Sequence, residues 1–136
     1  MLCRGPEDSL FDTLTDCGVG CIAFSPLAQG VLSDKYLAGI PANSRAAKPE
    51  GFLQSESITP GLIEKVSMLN DMAISRGQSL AQMALAWVLR RKEVTSALIG
   101  ASSPEQIKEN IDALKNKEFT DEELREIDNI LKGTSL

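Results

Sequence analysis

Two short apolar runs, residues 19–24 and 94–99, interrupt a chain whose other hydrophobic positions recur at three- and four-residue intervals. Neither run alternates with polar residues. Val19-Gly20-Cys21-Ile22-Ala23-Phe24 reads as a strand buried on both faces, the pattern of a parallel sheet covered by helices. Val94, Thr95 and Ile99 give the second run a β-branched composition suited to a pleated, buried strand. The remaining pattern predicts five helices. Residues 6–17 carry Pro6 in the first turn and Glu7 and Asp8 at the positive end of the dipole. Leu10, Phe11 and Leu14 form an inward stripe that stops at Gly18. Thr59-Pro60 opens a helix with Leu62, Val66, Leu69 and Ala73 inward, ending at Arg76-Gly77. Ser79 caps the next, whose inward face is Leu80, Met83, Ala84, Trp87 and Val88. Arg90, Arg91 and Lys92 complement its C-terminal dipole. Ser103, Pro104 and Gln106 read as N-cap, first-turn proline and capping-box partner of a helix from 104 to about 114, with Ile107, Ile111 and Leu114 inward. Thr120 and Glu123 form another capping box, with Leu124, Ile127 and Leu131 inward until Gly133.

Residues 29–58 show no period. A loop of that length in a compact domain is usually a lid or binding loop. Lys35, Arg45 and Lys48 fit an anion-gripping lid, against the alternative of solvated surface charge. The strand at 94–99 empties through Gly100, Ala101 and Ser102 into a helix N-terminus, where unpaired backbone N–H groups and the macrodipole favour a phosphate.

Strands alternating with helices imply parallel pairing and right-handed crossovers. Two such strands, apolar on both faces, need neighbours that these residues do not supply. The expectation is one partial unit over residues 1–136, a piece of a larger sheet or barrel or one that completes itself by association through its open strand edges.

Charge and composition narrow the chemistry. A formal net charge of -5 opposes a nucleic-acid or anionic-membrane surface. It also opposes reading residues 78–91 as a helix-turn-helix, as does the inward-facing Trp87. Cys3, Cys17 and Cys21 form no CxxC pair and no His is present, so a metal set is not expected and reduced thiols are. Without His, any catalysis falls to Tyr36, Lys, Asp, Glu, Cys or Ser. No stretch has a membrane span's length or a signal-peptide pattern, which predicts a soluble cytoplasmic protein.

Three motifs together resemble the C-terminal part of an aldo-keto reductase. They are residues 18–30 (GVGCIAFSPLAQG), Lys35-Tyr36 with Gly39-Ile40-Pro41 and Ser44-Arg45, and Leu98-Ile99-Gly100-Ala101-Ser102 with Gln106 and Glu109-Asn110. The subgroup is that of bacterial glyceraldehyde 3-phosphate reductases and voltage-gated potassium channel β subunits. The resemblance implies an α/β chain forming the C-terminal portion of a (β/α)8 TIM barrel, its strands the seventh and eighth, with NADPH as cofactor and an aldehyde or ketone as substrate of the complete barrel. It implies that Ser25, Pro26, Leu27, Ala28 and Gln29 pass along the pyrophosphate, with Phe24 beneath the nicotinamide side. Lys35 and Arg45 would grip the adenosine half, and residues 29–58 would form a cofactor-proximal loop. Gly100 would admit the ligand to the backbone, Ser102 and Gln106 would meet the 2'-phosphate, and Glu109 and Asn110 the adenine. Asn43 departs from the aromatic residue of the channel subunits. The family's catalytic Tyr, Asp, Lys and His belong to the first half of the barrel, so no catalytic residue is assigned and the chain alone is expected to be inactive. The alternatives are a non-catalytic binding partner resembling the channel subunits, and a truncated reading frame.

Overall fold

In the computed structural model, which describes residues 1–47 and 51–132, β1 (Cys21–Phe24) and β2 (Val94–Leu98) pair in parallel. The chain is α/β, a partial (β/α)8 barrel with two parallel strands and five α-helices among the described residues. Cys21 faces Val94, but Ile22 faces Ser96, so Thr95 is left over at an irregularity in the ladder. Gly20 makes that possible. A Cβ at Gly20 would lie 1.9 Å from Thr95 Oγ1, closer than any side chain allows, and in tight contact with Thr95 Cβ at 3.3 Å. Gly20→Ala is expected to cost about 1–3 kcal/mol by overpacking. Adding Thr95→Gly should recover most of the loss in urea unfolding, and a double variant no better than the single one would refute the contact.

The helices are α1 (Leu10–Cys17), α2 (Pro60–Ser75), α3 (Leu80–Leu89), α4 (Pro104–Asp112) and α5 (Asp121–Leu131). The expected caps are in place: Thr59 accepts from the Leu62 N–H, while Ser79 with Gln82 and Thr120 with Glu123 form reciprocal boxes. The core joins the inward faces of α2, α3 and α5 to Val31, Leu32, Tyr36 and Leu53. None of the described helices is long and apolar enough to cross a membrane.

Several expectations are corrected. The strands are not buried on both faces: Ile22, Phe24 and Leu98 are 68%, 83% and 57% exposed, because no described element covers them. Leu10 on α1, Ile107 and Ile111 on α4, and Leu114 beyond it are exposed for the same reason, although each helix is amphipathic. The stretch 6–17 divides into a 3-10 turn, Gly5–Glu7, and α1, with Ser9 at a non-helical φ of -157° between them. The helix expected to reach 114 ends as α4 at Asp112 and continues as a 3-10 turn, Ala113–Lys115. Segment 29–58 is irregular but packed. The 3-10 turns Ala28–Gly30, Asp34–Tyr36, Arg45–Ala47 and Ser55–Ser57 punctuate it, and Val31, Leu32, Tyr36, Ala46 and Leu53 are buried. Lys48 and Gly133 lie outside the described residues.

Two arginine-centred clusters tie the helices together. Arg76, whose side chain is only 6% exposed, donates to Gln78 Oε1 (3.0 Å), Glu123 Oε1 (2.5 Å) and the Glu118 carbonyl (2.8 Å). Its guanidinium lies 3.9 Å from the Phe119 ring centroid. On the other side, Trp87 is flanked by Arg90 and Arg4, 3.7 and 5.1 Å from its centroid. Glu7 pairs with both arginines, and Arg4 reaches Asp128.

Burial alone would raise the Glu123 carboxyl, but hydrogen bonds from the Thr120 N–H and from Arg76 outweigh it and hold the group below its ordinary range. Because the folded-state value is depressed, the stabilisation is present above the unfolded carboxylate pKa, about 4.3, and is lost as pH falls through the folded value. Glu123→Gln is expected to flatten the acid limb of stability against pH in chemical denaturation. Superimposable limbs would show that the cluster does not couple to protonation.

Candidate functional site

The parallel register decides where chemistry can gather. Phe24 lies opposite Leu98, so both strands leave the sheet at the same end, one into residues 25–30 and the other into 99–103. Crevices outside the carboxyl ends of parallel strands are where α/β folds bind ligands, because diverging loops rest there on a rigid support.

The first exit is strained. Ser25, Ala28 and Gln29 have φ values of 50°, 47° and 59°, left-handed conformations costing non-glycine residues roughly 1–2 kcal/mol each. Their surroundings hold them there. The Ala28 N–H donates to the Ser25 carbonyl (2.9 Å), and the Gly30 and Leu32 N–H groups both donate to the Leu27 carbonyl (2.9 and 3.2 Å). Buried Val31 and Leu32 anchor the far end. Strain of this kind concentrates at functional sites, where a rigid surround can impose it. Nothing in the composition of these residues foretold it, since Ser, Ala and Gln carry no left-handed signal comparable to Gly.

At the second exit, a Cβ on Gly100 would sit 3.9 Å from Arg45 Nη2, so the guanidinium lies alongside this backbone. Ser103 caps α4 by accepting from the Gln106 N–H (3.4 Å). The Gln106 side chain does not complete the box on Ser103. Its Oε1 accepts from the Ser102 N–H (2.8 Å) and hydroxyl (3.1 Å), so two expected phosphate ligands hold each other. The exposed Glu105 carboxyl is held below its usual range, first by its own backbone N–H and then by the Ser103 hydroxyl. The start of α4 therefore already favours negative charge.

The expected site residues are thus only partly drawn together. Phe24, Ser25, Pro26, Ala28 and Gln29 line one pocket of about 570 Å³, while Leu27 packs toward the core. Arg45 meets Gly100, and Ser102 meets Gln106. Lys35 is exposed on its 3-10 turn, and what the local structure uses is its backbone N–H, which donates to Ser33 Oγ (3.3 Å). Glu109 is exposed on α4, with its carbonyl accepting from Gln82 Nε2 (3.0 Å), and Asn110 is half-buried. Among the described residues, no hydrogen bond or ion pair joins the side chains of Lys35, Glu109 or Asn110 to the strand exits. The pocket runs along β1 and includes none of Lys35, Arg45, Gly100 or Ser102. Among the described residues, no group of three His, Cys, Asp or Glu is placed to hold a metal ion.

Residues 1–132 match the family model described as "Aldo/keto reductase family". The L-glyceraldehyde 3-phosphate reductases of Escherichia coli O157:H7 and of Escherichia coli strain K12 are each 51% identical over 126 residues, which is 90% of this chain and 36% of theirs. A putative voltage-gated potassium channel subunit beta of Schizosaccharomyces pombe is 37% identical over 123 residues, 88% of this chain and 36% of its own. The chain spans about a third of the length of these curated relatives.

Proposed function

Because the chain belongs to the aldo/keto reductase family, we propose that its two strand exits hold the phosphate-bearing part of NADPH in the reduction of a small aldehyde or ketone. The observation that carries this reading is the Arg45 guanidinium beside Gly100, where β2 gives way to the start of α4. A neighbouring cation, a backbone without a side chain and a helix N-terminus that favours anions suit a phosphate monoester. In this reading Ser102, Gln106 and Arg45 take the 2'-phosphate, with Lys35 as a second cation on the adenosine half. Glu109 and Asn110 meet the adenine, and the preformed turn at Ser25–Gln29 follows the pyrophosphate with Phe24 toward the nicotinamide. NADPH, when bound, supplies the hydride. The chain's own residues bind and orient. Tyr36 is 1% exposed, packed in the core beside Gly30, and is given no proton-transfer role.

Ser102 and Gln106 must exchange their mutual hydrogen bonds for the ligand, so affinity rests on the cations more than on these two. Fluorescence titration of the purified chain should show NADPH binding more tightly than NADH. Lys35→Ala and Ser102→Ala should each narrow that preference, the lysine variant more. A folded chain that binds neither nucleotide, or variants that lose both equally, would defeat the assignment.

A further inference from the structure

We infer that Ser33 is a positioning residue for the bound nucleotide: its hydroxyl locks the turn carrying Lys35 onto the strained turn that follows β1. The inference rests on the NADPH reading above and concerns a residue to which that reading gives no role. Ser33 lies between the two turns, half-buried, with extended backbone at φ -150° and ψ 174°. Its Oγ donates to the Gly30 carbonyl (2.6 Å) and accepts from the Lys35 N–H (3.3 Å). A serine hydroxyl can do both at once, and each bond polarises the other. One atom therefore joins the last residue of the turn Ala28–Gly30 to the middle residue of the turn Asp34–Tyr36.

The surroundings explain what this hydroxyl adds. Leu32, just before it, is 1% exposed, and its N–H donates to the Leu27 carbonyl, which holds the chain entering Ser33. Tyr36, beyond Lys35, is equally buried, and its Cε2 lies 3.9 Å from where a Cβ on Gly30 would sit. Lys35 is thus fixed through its neighbours and its own N–H. Its side chain is exposed and, among the described residues, makes no hydrogen bond or ion pair. A free ammonium on an ordered backbone is pre-organised for an anionic ligand, which then need not order the turn on binding. Without the Ser33 hydroxyl the Asp34–Tyr36 turn loses its cap and the Gly30 carbonyl loses its donor, so the ligand must impose the arrangement itself. Loss of a capping hydroxyl corresponds to a weakening of about fivefold.

The test uses the full 136-residue chain. Amide hydrogen exchange followed by NMR without ligand should show a protected Lys35 N–H, accelerated about tenfold in Ser33→Ala and slowed again in Ser33→Thr. In fluorescence titration, Ser33→Ala should narrow the preference for NADPH over NADH about fivefold, and Ser33→Thr should restore most of it. The double variant separates positioning from stability. In a Lys35→Ala background, Ser33→Ala should narrow the preference no further, because it acts through the lysine. A hydroxyl that only stabilises the fold would lower stability and leave the preference alone in both backgrounds. Unchanged exchange at Lys35, or a Ser33→Ala effect that persists in full without the lysine, overturns the inference. If Lys35→Ala narrows the preference and Ser33→Ala does not, the NADPH reading stands and this inference falls. If the folded chain binds neither nucleotide, the reading falls and takes the ligand role of Ser33 with it.

Discussion

Replacing Arg76 with alanine is expected to lower the unfolding free energy by about 3 kcal/mol, at the lower end of what breaking a buried ion pair costs. Glu123, 26% exposed, keeps some access to water once its partner is gone, which places the loss at that end. The guanidinium donates to Gln78, Glu123, Asn116 and the Glu118 carbonyl and lies over the Phe119 ring. It joins the end of α2 to the segment that opens α5. Arg76→Lys keeps the charge but not the fork or the stacking surface, so it should recover less than half of the loss. Urea unfolding followed by circular dichroism measures all three proteins. A loss below about 1 kcal/mol for the alanine variant would place Arg76 among ordinary surface ion pairs.

Arg45→Ala is expected to weaken NADPH binding tenfold or more, about 1.4 kcal/mol, while changing NADH binding less. The loss is that of a charge-assisted hydrogen bond to a phosphate oxygen. Gly100→Ala separates this from a change in folding. Its added Cβ would sit 3.9 Å from Arg45 Nη2, an ordinary contact, so stability should move by less than about 0.5 kcal/mol. A ligand approaching the backbone at Gly100 would meet the methyl, so NADPH affinity should fall while the protein stays folded. If Arg45→Ala costs NADPH and NADH alike, the guanidinium does not read the 2'-phosphate. If Gly100→Ala leaves affinity intact, the ligand does not pass this backbone.

The helix starts were legible because caps are local. Thr59, Ser79, Ser103 and Thr120 each sit three residues before the N–H they accept from, a spacing visible in the chain. Periodicity likewise located the apolar face of α2 and α3, whose Leu62, Val66, Leu80 and Met83 are buried. The same signal misplaced Leu10, Ile107, Ile111 and Leu114, since a 3.6-residue repeat says which side is apolar and not whether anything lies against it. Segment 29–58 failed the other way. It buries Val31, Leu32, Tyr36 and Leu53 one at a time on tight turns, leaving no period to detect. Arg76 read as a helix stop beside Gly77, because nothing in a lone arginine announces partners some forty residues away. In the site, Gly100 and the Ser103 cap of α4 were legible as a turn from strand into helix start. The pairing of Gln106 with Ser102, and the left-handed backbone at Ser25, Ala28 and Gln29, depend on tertiary geometry and left no local trace.

Trp87 is the only tryptophan in the sequence, and it sits buried with a guanidinium on either side. That placement makes it a built-in optical reporter. Arg4 and Glu7 come from the segment before α1, Arg90 ends α3 and Asp128 belongs to α5, so separating any of these elements changes the indole's surroundings. Its emission therefore follows the docking of three helical segments with no label attached.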